Sequence, residues 1–215
     1  WATNSVHLGK TLSEEDFRLT AETDQSSVNA NVIGIIENQA PTKHLRLEVA
    51  VQDGQVPIDM ERDLLKVALV ERHQGTGDVQ VGLVQGFGFD QPCAVASTVA
   101  HDCHHMVVVG SDEADMALAA NHLGEINGGQ VVVSDGEVIA QVALPIAGLM
   151  SNQRAEVVAE QAAAVLSAIR DCGCELNNPN MQLSLLALVV IPELRISDLG
   201  LVDVNSFDFV PVLEP

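Results

Sequence analysis

The stretch from Ser97 to Val109 reads Ser-Thr-Val-Ala-His-Asp-Cys-His-His-Met-Val-Val-Val, and it gathers the residues best able to do chemistry. Three of the seven histidines, one of the four cysteines and an aspartate fall between His101 and His105, between apolar and β-branched neighbours. Polar side chains in a run that should be buried need partners, because leaving them unpaired costs free energy. If the run continues as a strand, alternation puts His101, Cys103 and His105 on one face and Asp102 with His104 on the other. The first set has residue types that zinc accepts. The second could form an Asp–His hydrogen bond that fixes an imidazole tautomer. The alternative is a polar turn at a strand end, with a histidine satisfied by backbone carbonyls. The cluster is not a His-Glu-x-x-His signature.

Other polar residues stand in apolar settings. Glu71-Arg72-His73 ends an apolar run and reads as a solvated edge or one wall of a pocket. Glu193 follows Ile191-Pro192, a carboxylate at a rigid turn, while Lys43-His44 after Pro41 reads as surface. No His-x-His pair, no spaced Lys, His, His, Asp set and no Gly-x-Ser-x-Gly elbow accompanies them, so these residues form no complete catalytic apparatus.

The elements that must position them are legible in outline. Asn31–Glu37 and Leu45–Val51 suit strands, the second alternating with period two, and Ser13–Asp16 begins a helical turn. The charged stretch Asp59–Asp63 marks a boundary. Leu64–Arg72 and Val79–Val84 read as strands joined by a Gly75-Thr-Gly77 loop, and Ala94–Ala100 and Met106–Val109 as strands bracketing the histidines. The Gly-x-Gly patterns near residue 86 lack the rest of a phosphate-binding loop. Ser111 opens an amphipathic helix with Met116, Ala119, Ala120, Leu123 and Ile126 on one face. Val131–Ile139 is a hairpin with Asp135-Gly136 in its turn. A second helix spans about 152–172, capped by Ser151 or Asn152, striped by Val158, Ala162, Val165, Ile169 and Cys172, and stopped by Gly173. The apolar run Leu183–Ile191 breaks at Pro192, and strand-like segments 200–204 and 207–212 follow. Strands mixed with at least two amphipathic helices predict an α+β fold of mixed and antiparallel sheets, preceded by a small β segment.

The chain has 215 residues, 47% of them hydrophobic, enough for one core with a smaller appendage. Its longest apolar stretch is about half of a membrane span, no secretory signal opens it, and its start at Trp1 reads as a segment of something longer. Thirty acidic against ten basic residues give a formal charge of −20 and no tyrosine is present. Phosphate backbones would be repelled and base-stacking surfaces are scarce, so nucleic acid is not an expected partner, and neither is a membrane. Cys93, Cys103, Cys172 and Cys174 lack disulfide spacing, which predicts reduced thiols in a cytoplasmic protein. Cys172-Gly-Cys174 reads as the end of a helix rather than a metal motif.

Several long blocks share order and spacing with one family. They are Glu71-Arg-His-Gln-Gly-Thr-Gly-Asp, Gly82-Leu-Val-Gln-Gly-Phe-Gly, Ala96-Ser-Thr-Val-Ala-His-Asp-Cys-His-His and Val108-Val-Gly-Ser-Asp-Glu-Ala-Asp-Met-Ala-Leu-Ala. Leu144-Pro-Ile-Ala-Gly-Leu-Met-Ser, Leu183 to Leu194 and Gly200-Leu-Val-Asp-Val continue them. Together they resemble the C-terminal portion of bacterial adenine deaminase, of the amidohydrolase superfamily, over nearly the whole chain.

The resemblance implies a purine-salvage enzyme in which a metal-activated water attacks C6 of adenine, giving hypoxanthine and ammonia. The metal (Mn, Fe or Zn) would sit in a barrel N-terminal to this segment, and a homo-oligomer is implied. Residues 1–55 would end a barrel-flanking β-domain and 56–215 would form the C-terminal domain. His101, Asp102 and His104 match the family's His-Asp-Ser-His-Asn run and become candidates for a pocket wall or lid. Arg72, His73 and Glu193 match as candidate substrate-binding residues. Cys103 and His105 stand where Ser and Asn are usual, which weighs against a His101–Cys103–His105 metal set. The competing reading is an autonomous metal-binding or structural oligomerisation module without catalysis.

Overall fold

The computed structural model describes residues 2–214. β1 (Ser27–Ile35), β2 (Thr42–Ala50), β3 (Leu64–Val70), β4 (Val79–Gln85), β5 (Cys93–Ser97), β6 (Met106–Gly110), β7 (Gly129–Ser134) and β8 (Glu137–Ala143) form one sheet. Its order is β2-β1-β4-β3-β6-β5-β7-β8. Every pair is antiparallel except β1 with β4, which runs parallel through Val32–Leu83, Ile33–Val84 and Gly34–Gln85. A meander of β9 (Leu194–Ser197), β10 (Gly200–Asp203) and β11 (Asp208–Val210) forms a second, three-stranded sheet. The fold is α+β, with mixed and antiparallel sheets.

The central strands are buried on both faces, so they read as continuous apolar runs. All of β3 and β6 is buried. Alternation divides them between two cores. Leu65, Val67, Leu69, Val107, Val109 and Val132 face one cluster. Ala68, Val70, Met106, Val108, Val131 and Val133 face the other. The helix α1 (Glu113–Glu125) covers the second face with Met116, Ala119, Ala120 and Leu123, joined by Phe17 and Leu12 of the N-terminal segment. The helices α2 (Ala155–Asp171) and α3 (Pro179–Leu185) and the meander cover the first. Lys66, inside β3 and 1% exposed, points to the α1 side and reaches Glu113 Oε1 at 2.7 Å, tying the start of that helix to the sheet.

Several boundaries differ from the sequence reading. β5 stops at Ser97 rather than Ala100, because the backbone turns there. α2 begins at Ala155; the Ser151 hydroxyl accepts from Gln153 N at 3.2 Å, closing a local turn instead of capping a helix. Part of the run 183–191 lies in α3, which Asn178 caps by accepting from Met181 N at 3.3 Å, with Pro179 in the first turn. The Asp135-Gly136 hairpin stands where expected, both residues at positive φ (51° and 76°) as a tight β-turn requires. Among the described residues, no helix is long and apolar enough to cross a membrane.

Candidate functional site

β3 ends, β6 begins, and β5 ends at the same edge of the sheet, since Val70 pairs with Met106 and Ser97 with Val107. Glu71-Arg72-His73 and the segment 98–105 therefore leave the sheet side by side. The segment 98–105 is a turn, so the alternation that would align His101, Cys103 and His105 does not occur. Thr98 pins its start: its hydroxyl donates to Gly148 O (2.6 Å) and accepts from Gly129 N (2.8 Å). His101 N donates to Ser184 O (2.9 Å), and His104 N closes the turn on Ala100 O (2.7 Å), with His104 at φ 49°.

Arg72 holds this turn from beneath. The residue is 1% exposed, and its guanidinium donates to three carbonyls from separate parts of the chain. Nε reaches His104 O at 2.6 Å, Nη1 reaches Ser5 O at 2.8 Å and Nη2 reaches Ala147 O at 3.1 Å. Burial lowers its pKa, and the nearby Cys103 side chain and Glu71 carboxylate partly oppose that. Its donors are spent on backbone, so Arg72 organises the turn.

On the outer side, the His101 and His104 rings meet edge to face at 5.6 Å, and His101 Nδ1 lies 3.6 Å from the exposed Asp102 carboxylate. His104 Nδ1 is buried without a partner, which leaves Nε2 as its available atom. Burial, with His101 and Arg72 nearby, lowers the His104 pKa and keeps the ring neutral near pH 7. His73 Nε2 donates to Cys103 O (2.9 Å), and its ring packs against His105 at 4.6 Å.

His105 stands between two carboxylates, with Nδ1 3.9 Å from Glu71 Oε1 and Nε2 3.6 Å from Asp198 Oδ2. Burial and His73 outweigh these acids and lower its pKa. Burial alone would raise Glu71, but the N–H groups of Gln74, Thr76 and His73 hold it below the usual carboxylate range.

Glu193 belongs elsewhere. It precedes β9, whereas Asp198 follows it, so at strand rise the two lie about 16 Å apart. Its Oε2 accepts His44 N at 2.7 Å; His44 Nε2 donates to Asn31 Oδ1 (2.7 Å) and its Nδ1 lies 3.7 Å from Asp203. Lys43 is exposed, but the His44 side chain is 13% exposed and bonded, a departure from the surface reading. The structure thus brings His101, Asp102, His104, Arg72 and His73 together and leaves Glu193 at the other end of β9. Thr98 and Asp198 join the cluster only through tertiary pairing, so no local pattern could have marked them.

Among the described residues, no three His, Cys, Asp or Glu side chains converge as a metal site. His101 turns toward His104, while His105 points between Glu71 and Asp198, so the residues present do not fit a catalytic metal. Nor do the residues of this turn line any of three surface cavities, of about 680, 340 and 350 Å³.

The turn, its arginine support and both strands that frame it fall inside a single family match: the adenine deaminase C-terminal domain profile covers residues 39–208. The chain belongs to that family. It is 57% identical to adenine deaminase of Roseobacter denitrificans over 99% of this chain and 35% of that protein. It is 56% identical to adenine deaminase 3 of Rhizobium meliloti over 99% of this chain. It is 49% identical to adenine deaminase of Moorella thermoacetica over 98% of this chain. The chain spans about 35% of the length of these curated relatives. As a member of the adenine deaminase C-terminal domain family, it contributes Arg72, the 98–105 turn, Glu193 and Asp198 from within the matched region.

Proposed function

We propose that this domain belongs to an enzyme that hydrolyses adenine to hypoxanthine and ammonia, and that the 98–105 turn forms a wall or lid beside the purine. The observation that carries the reading is the Arg72-held turn, which presents half-exposed His101 and His104 within a chain whose relatives are named adenine deaminases. A divalent metal (Mn, Fe or Zn) held by the rest of the polypeptide supplies the activated water. This chain supplies positioning. His104 offers a neutral imidazole whose Nε2 can donate to or accept from a heterocycle edge, and Asp102 orients His101. His73 braces the turn through Cys103 O, Arg72 fixes its backbone, and Glu193 acts on β2 through His44.

The proposal places the enzyme in purine salvage in the cytoplasm, as a homo-oligomer, with a seam near residue 55. The basis of the seam is the charged stretch 59–63 between β2 and β3; the core itself runs across it, since β1 pairs with β4 and Leu64 and Leu83 join Ala21, Ala30, Val32, Val49 and Val56. The deciding experiment measures adenine deamination and metal content for the 215-residue chain and for the full-length protein. The expected result is activity from the full-length protein and none from the chain. Activity of the chain alone, tracking bound metal, or none from the metal-loaded full-length protein would overturn the reading.

A further inference from the structure

Among the described residues, His105 alone of the histidines has a carboxylate opposite each ring nitrogen. Glu71 Oε1 lies 3.9 Å from Nδ1 and Asp198 Oδ2 lies 3.6 Å from Nε2. Both separations exceed a hydrogen bond, and Nδ1 is buried without a partner. A neutral imidazole carries a single N–H. Whichever nitrogen holds it, the other turns a lone pair toward a carboxylate. Only the imidazolium, with an N–H at each end, suits both acids.

The three groups differ in their freedom to move. His105 directly precedes β6 and its side chain is 10% exposed, so the sheet fixes the ring. The Glu71 carboxylate accepts from the N–H groups of His73, Gln74 and Thr76, which fixes it as well. Asp198 stands in the two-residue turn between β9 and β10, with its side chain 43% exposed. Ser197 closes that turn, its hydroxyl donating to Gly200 O at 2.8 Å and accepting from Leu199 N at 3.2 Å, which leaves the Asp198 carboxylate uncommitted. The other charged or titratable groups against the ring are His73, packed on it at 4.6 Å, and Arg72, whose donors are spent on carbonyls. Both oppose a positive charge on His105, and the two carboxylates favour it.

We propose that His105 is a proton-operated latch: protonated from solvent, it draws Asp198 into a hydrogen bond and ties the β9–β10 turn to the 98–105 turn that carries His101 and His104. Glu71 is its fixed end and Asp198 its moving end. Acid closes the latch and base releases it, in the range between ordinary histidine and carboxylate titration.

Two measurements on the full-length protein test this. Exchange of the imidazole Cε1 hydrogen, followed by mass spectrometry from about pH 4.5 to 9 and resolved to His105 by fragmentation, gives the titration midpoint of the ring. In Asp198→Asn, a change on the exposed turn, that midpoint should fall by about 0.5 unit, the scale of a half-exposed ion pair; an unchanged midpoint would overturn the proposal. Amide exchange of residues 197–201 is then compared between the unaltered protein and His105→Asn, which leaves the sequence of that turn intact, so intrinsic rates cancel. The unaltered protein should exchange about threefold more slowly at about pH 5.5, the factor equivalent to half a unit, and equally at about pH 8. The same ratio at both pH values would overturn the latch. Neither readout uses adenine, so a protein that failed to deaminate it would lose the proposed activity and keep the latch.

Discussion

Arg72 and Arg195 are solvated by carbonyl oxygens instead of carboxylates. Arg195 donates to Ile191 O, Leu185 O, Ala40 O and Pro192 O, and although burial pulls its pKa down to about 10, it stays charged near neutrality. Such a cage needs the planar fork of arginine, which a single ammonium cannot reproduce. Arg72→Lys is expected to lower stability to urea by about 2–3 kcal/mol, the scale of lost hydrogen bonds to a charged group. His101→Ala in the full-length protein is expected to cut deamination kcat/KM by about tenfold or more, as for loss of one positioned group, with metal content unchanged; unaltered kinetics would remove the turn from the pocket. His104 and His105 have lowered pKa values in the fold, so their contribution to stability is present above the unfolded-state value of 6.5 and lost as pH falls below it. Glu71, also lowered, loses its contribution only as pH falls below about 4.5, the ordinary value for a glutamate. Melting temperature should therefore drop between pH 7 and pH 5, and His105→Asn should flatten that slope; an unchanged slope would assign the drop to other groups.

At the scale of elements, the most legible parts of the sequence were those whose environment matches their pattern. β3, β6 and α1 are long apolar or periodic runs with clear ends, and each lies within a few residues of its expected position. The residues of the candidate site were visible as a cluster for the same reason, as polar types inside an apolar run. Their geometry was not, because the 98–105 turn is shaped by Thr98 bonds to residues 129 and 148 and by Arg72, contacts that carry no local signature. α3 did leave a signal, Asn178-Pro179, an N-cap followed by a proline suited to the first helical position, but the apolar run after it obscured it. Asn178→Ala should cost about 1 kcal/mol. Because Ser184 O of that helix receives the His101 N–H, exchange at the His101 amide should quicken as well.

For the molecule as a whole, thirty acids against ten bases make self-repulsion a standing cost that salt relieves. Raising NaCl from about 0.01 M to 0.5 M, which shortens the screening length from roughly 30 Å to about 4 Å, should raise the melting temperature measured by calorimetry. A flat response would mean the acids are compensated locally. The Arg72 cage also sets a schedule. Its last carbonyl, Ala147, is 75 residues further along the chain. At about 5–20 residues per second a ribosome delivers it roughly 4–15 s after the arginine. The histidines of the turn are made well before the pieces that lock them, so a nascent chain arrested between residues 105 and 147 would carry Arg72 and the turn's histidines but neither Ala147 nor Asp198.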